Sequence, residues 1–241
     1  MVTILLIILF SSLIQGTVGF GFSMIAVPLL SMMMPLTTIV PLLIIIGLGM
    51  NGFLLYQLHK DVDFAKMKWL LIAGIMTTPV GASLLTLIDS RVLKLIVGIV
   101  IISSAIFMYG GYKIKVKSEV KGNIIAGTLS GLLNGSLTLS GPPVIFFLNN
   151  QGTNKQTFRA NLAFYFLALN IFTTITFILK HMFNAEILRL SAISIPLVLL
   201  GTWMGAFIGN KVREDIFKKI TILGIGIMGI ISMINGAVAF L

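Results

Sequence analysis

The 241 residues are 57% hydrophobic and 10% charged, with 17 bases, seven acids and a net charge of +10. A soluble domain carries about 25% charged residues, so this composition, with a mean hydropathy of +1.08, excludes an ordinary soluble domain and describes an integral membrane protein. The bases lie in short loops, which leaves no place for a nucleic-acid module, and the absence of cysteine excludes disulfides and Cys-ligated zinc.

In chain order the apolar segments run over Val2–Leu36, Thr38–Leu58, Trp69–Ile88, Val92–Tyr112, Gly122–Asn149, Asn161–Leu179, Leu190–Gly209 and Phe217–Leu241. A helix needs roughly 20 apolar residues to cross the hydrocarbon core, and most of these segments suit one crossing. The first has no basic region before it and no small-residue cleavage pattern after it, so it is expected to remain in the mature protein.

Two segments differ from the rest. The first contains Gln15-Gly16-Thr17-Val18-Gly19-Phe20-Gly21-Phe22 and then Pro28. The fifth contains Asn134-Gly135-Ser136-Leu137-Thr138-Leu139-Ser140-Gly141-Pro142-Pro143. Glycine costs about 1 kcal/mol in a helix interior and proline about 3, so both segments are expected to break in the middle, into arms of about 13 residues, or near 20 Å of helix each. An offset of 119 places Gly16 on Gly135 and Asn51 on Asn170, and an offset of 124 places Gly81 on Gly205 and Lys94 on Lys218. Two halves, 1–118 and 119–241, therefore share one layout.

The bases decide how the broken segments run. If all eight segments cross once, the two sides hold nine and eight bases, and no orientation follows. If each broken segment goes in and comes back, 13 of the 17 bases fall on one side, and only Arg91, Lys94, Lys180 and Arg189 lie opposite. The positive-inside rule selects the second arrangement. The expected fold is thus an all-α polytopic bundle of two inverted repeats. Each has one broken or re-entrant segment and three transmembrane helices, and both termini lie outside.

The stretch from Gly16 to Pro28 resembles the first signature of the TauE/SafE family of sulfite and organosulfur-anion exporters. The run from Gly131 to Gly141-Pro142-Pro143 resembles its second-half counterpart, followed by Arg159-Ala160-Asn161 at the next helix start. Phe20 and Phe22 interrupt the glycine run the family carries, and Ser140-Gly141-Pro142-Pro143 replaces it in the second half. The resemblance implies a plasma-membrane transporter whose partner is a small anionic solute, surrounded by lipid and without a cofactor.

The residue chemistry gives candidate contacts. Gly16, Gly19 and Gly21, beside Gln15, suit an unwound bend whose backbone N–H groups face an anion; close helix packing is the other use of such spacing. Asn134, Ser136, Thr138 and Ser140, before Gly141, offer neutral donors to oxyanion oxygens, or else bond to neighbouring carbonyls and stabilise the break. Asn51 and Asn170 either line the path or join helices. Pro28, Pro142 and Pro143 shape the turns, and Arg159 either attracts an anion at the entrance or serves as a positive-inside anchor. Trp69, beside Lys68, reads as an interfacial anchor, and Trp203, between Gly201 and Gly205, as an interior residue. All seven acids lie in or beside loops, and neither His59 nor His181 has a second metal ligand at a fitting spacing, so no metal and no catalytic group is expected. An anion channel, a carrier of another small organic solute and a non-transporting scaffold stay open as alternatives, as does a homo-oligomer.

Overall fold

A computed structural model of the protein describes residues 1–110, 118–149, 154–211, 226–227 and 229–234. The described residues form helices α1 (Val2–Val18), α2 (Phe22–Leu30), α3 (Leu36–Leu58), α4 (Phe64–Leu87), α5 (Ser90–Gly110), α6 (Glu119–Leu137), α7 (Gly141–Asn149), α8 (Lys155–Leu179) and α9 (Ala185–Lys211). A 3-10 turn, His59–Asp61, follows α3, and residues 226–227 and 229–234 are helical as well. Among the described residues five helices are long and apolar enough to cross a membrane: α3, α4, α5, α8 and α9. Most of the expected last segment, Phe217–Leu241, lies outside the described residues.

Local chemistry explains where the long helices begin. Asp63 accepts from the Lys66 N–H at 3.3 Å, and Asn154 accepts from the Thr157 N–H at 2.8 Å. Each cap satisfies one of the donors left over at a helix start. The two broken segments are broken as expected, but unequally. Their arms are 17 and 9 residues in the first half and 19 and 9 in the second. The breaks fall where a residue takes left-handed backbone, at Gly19 (φ 92°) and Gly21 (φ 106°) and at Thr138 (φ 56°), and these positions are not midpoints. At 1.5 Å per residue α2 and α7 are about 13 Å long, well short of the roughly 30 Å core. Pro142 and Pro143 occupy the first turn of α7, where a missing N–H costs nothing. Pro28 sits near the end of α2.

The halves interlock through their glycines. Leu9, Leu13 and Thr17 of α1 meet Gly201, Gly205 and Gly209 of α9 in that order, so the two helices run parallel. In the same way Gly127, Gly131 and Gly135 of α6 meet Leu70, Gly74 and Thr78 of α4. A Cβ on Gly16 would lie on the Thr202 backbone, and one on Gly135 on the Thr78 carbonyl. Small residues let the backbones come this close, the main source of attraction between helices that lipid already solvates. Gly16 is thus a packing glycine. Along the centre, α3 and α8 run antiparallel: Asp63, just past α3, donates its N–H to Asn161 at 2.8 Å, while Gly47 further back faces Asn170.

Trp203 departs from expectation. It is 55% exposed and stacks on Phe207 with ring centroids 6.4 Å apart. Gly201 and Gly205 are one turn apart and both face α1, so the residue midway between them points the opposite way. Trp69 is half-exposed with the Lys68 ammonium 5.6 Å from its ring centroid, as an interfacial residue should be.

Candidate binding cavity between the two breaks

Both breaks open on one cavity of about 40 Å³. The first half contributes Gln15 from the end of α1, Phe20 and Gly21 from the break, Phe22, Ser23 and Met24 from the first turn of α2, and Asn51 from α3. The second half contributes Asn134, Thr138, Leu139, Ser140 and Gly141 with Asn170 from α8, and Ile44, Gly47, Met50 and Phe166 close the wall. On a scale where one water takes about 10–15 Å³, the space suits a solute of a few heavy atoms.

The polar walls are built twice. In the first half the Gln15 side chain donates to Asn51 Oδ1 at 3.2 Å and accepts from the Phe22 N–H at 3.0 Å. Asn51 donates to the Gly47 carbonyl at 2.9 Å. Gln15 therefore bridges the break, tying the end of α1 to the start of α2 and the middle of α3. In the second half Asn134 donates to Thr173 Oγ1 at 2.7 Å and approaches Asn170 Oδ1 at 3.4 Å. Gln15 and Asn134 are 119 residues apart, as are Asn51 and Asn170. Thr173 escaped the sequence reading. Its signal was the i+3 spacing from Asn170, which puts both on one helix face.

The charge pattern of the cavity is set by backbone. The N-termini of α2 and α7 both reach it, through Gly21–Met24 and Ser140–Gly141. Each helix start carries a partial positive charge of about half an electron. No acidic or basic side chain is among the lining residues. The site therefore attracts negative charge through dipoles and neutral donors, without a buried lysine or its desolvation cost.

Some expected residues stand elsewhere. Ser136 is spent on the Leu132 carbonyl at 2.7 Å, and Thr138, although it lines the cavity, donates to the Leu137 carbonyl at 2.6 Å. Gly19 makes the turn and backs onto the Arg159 side chain. Arg159 is not an exposed entrance charge. It is 7% exposed and donates from a terminal nitrogen to the Gly16 carbonyl at 2.7 Å, because α1 stops there and leaves its last carbonyls without partners. Pro28, Pro142 and Pro143 lie outside the cavity wall.

Residues 4–232 match the family described as Sulfite exporter TauE/SafE. The chain belongs to this family. It is also similar to a protein of Cupriavidus necator named "Probable sulfite/organosulfonate exporter TauE", at 24% identity over 203 residues, covering 79% of this chain and 77% of that one. No solved structure matches. Family membership and the apolar helices make this TauE/SafE chain a multi-pass membrane protein of a transporter family.

Proposed function

We propose that this protein is a secondary transporter that carries a small sulfur oxyanion, sulfite or an organosulfonate, across the plasma membrane. The observation that carries the reading is the convergence of two half-helix N-termini and two amide pairs on a single cavity of about 40 Å³. An oxyanion there is surrounded by N–H, amide and hydroxyl donors, each able to strengthen toward a charged acceptor. The relative's printed name supports the sulfur-anion class.

The two halves act as inverted repeats in this reading. Supporting it, α1 is paired with α9 as α6 is with α4, and the equivalent helices α3 and α8 run antiparallel. A two-fold axis in the membrane plane has that signature. Each broken segment is then a re-entrant hairpin: α1 rises to the cavity, α2 leaves it, and α3 returns to it at Ile44–Asn51. The base distribution supports a topology with both termini outside and the α5–α6 connection inside. Rocking one half against the other exposes the cavity to each side in turn.

No carboxylate lines the cavity, so the driving force assigned here is the membrane potential itself. Moving one negative charge outward gains about 2.3 kcal/mol per 100 mV. The test is flux of labelled sulfite, sulfate and small sulfonates into proteoliposomes, with and without an imposed potential. Saturable, potential-dependent flux lost in Asn51→Leu and Asn170→Leu is the expected result. Absence of flux for every sulfur anion rejects the substrate class, and currents far above carrier turnover would make the protein a channel.

A further inference from the structure

Among the described residues Arg159 is the one buried base, and the cavity does not explain its position. It lies in α8, is 7% exposed, and makes a single hydrogen bond, to the Gly16 carbonyl of the other half. Its Nε has no partner, and no acid pairs with it among the described residues. Capping α1 needs one donor, whereas a guanidinium supplies five and keeps its charge. Burying such a charge without a counter-ion is costly, and the partial negative end of α1 offsets only about half of it. A donor edge and a charge are therefore left over at a largely buried point.

The surroundings say what the surplus faces. A Cβ on Gly19 would come within 3.0 Å of Arg159 Cγ, and the Phe20 ring meets Phe158 edge-on at 6.5 Å. On its other side the same Gly19–Gly21 backbone reaches the cavity, which Phe20 and Gly21 line. The Gly19–Gly21 backbone thus touches the stem of Arg159 on one side and the cavity on the other. One turn earlier on α8, Lys155 donates to the Gly209 carbonyl at 3.3 Å. The start of α8 thus presents cations to the ends of both α1 and α9. The position 119 residues before Arg159 is Val40, buried and apolar, so only one side of the path has this charge.

We propose that Arg159 is a second, transient oxyanion site, on the far side of the first break from the central cavity. Its guanidinium exchanges the Gly16 carbonyl for the anion. While the anion is there, the end of α1 loses its tie to α8 and the Gly19–Gly21 layer is free to open. The proposal rests on the anion-transport reading for the identity of the ligand, but its binding test is separate from transport.

The experiment is thermal unfolding of the purified full chain in sodium sulfite against sodium chloride at matched ionic strength. The proteins compared are the wild type, Asn51→Leu/Asn170→Leu, and that double variant carrying Arg159→Lys or Arg159→Gln. With the central amides removed, a sulfite-dependent rise in Tm is expected to persist, to need about tenfold more sulfite with Arg159→Lys, and to vanish with Arg159→Gln. A rise that survives Arg159→Gln, or no rise once the central amides are gone, overturns the proposal. If Arg159→Gln does not fold, an unchanged sulfite midpoint in Arg159→Lys overturns it equally, since lysine keeps the charge and loses the fork. An Arg159-dependent rise in a protein without sulfite flux sinks the transport reading and leaves this site standing. Normal flux with no Arg159-dependent rise does the reverse.

Discussion

The two breaks do the same job with different chemistry. The first is made of glycines at φ 92° and 106°, backbone that costs glycine little, and it is fastened from outside. Gln15 bridges it to α2 and α3, and Arg159 holds it from α8. The second forces Thr138 to φ 56°, which costs a side-chain-bearing residue roughly 1–2 kcal/mol, and it is fastened from within. Thr138 bonds to the Leu137 carbonyl, and Ser130 of the same segment holds the Ser140 carbonyl at 2.8 Å. The second break also meets the opposite half, through the packing of Gly135 on Thr78, whereas the first is held in addition by the Arg159 bond. In the proposed rocking of the halves, the first is the better placed to report the movement, and the second to hold a wall of the site.

Substitutions can break or sharpen this contrast. The largest effect is expected at Gly19→Val, which adds left-handed strain and a collision with Arg159; about 3 kcal/mol of stability should be lost in a denaturation series. Gly21→Ala comes next. Its nearest new neighbour would be Ile14 Cγ2 at an ordinary 3.5 Å, so only the backbone term of about 1–2 kcal/mol applies. Thr138→Val keeps the shape and removes the Leu137 bond, with an expected loss of about 1 kcal/mol. Thr138→Gly should be smallest, within about 1 kcal/mol of the parent, because relief of strain opposes the lost bond and the freer unfolded chain. If Thr138→Gly costs as much as Gly19→Val, the second break is not self-fastened and the contrast fails.

Much of this was legible beforehand. Glycine and proline clusters announced both breaks. The role of each glycine was not legible. Gly16 and Gly19 look alike in sequence, yet one is chosen by the Thr202 backbone and the other by its own φ. Both partners of Gly16 come from the opposite half, and a local pattern carries no record of them. Arg159 read as an entrance charge for the same reason: the carbonyl it serves is 143 residues away. Trp203 is different. The four-residue spacing of Gly201 and Gly205 already said that Trp203 points the other way.

The pairing of α1 with α9 has a consequence for how the molecule is made. The glycines that α1 must meet are synthesised roughly 190 residues after it, which at about 5–20 residues per second is a wait of some 10–40 s. Throughout that interval the first helix is in place while the surface shaped to receive it does not yet exist. Assembly inside the bilayer therefore finishes from both ends of the chain at once, and a ribosome that stops before α9 leaves not half a working molecule but a set of helices with no one to close against.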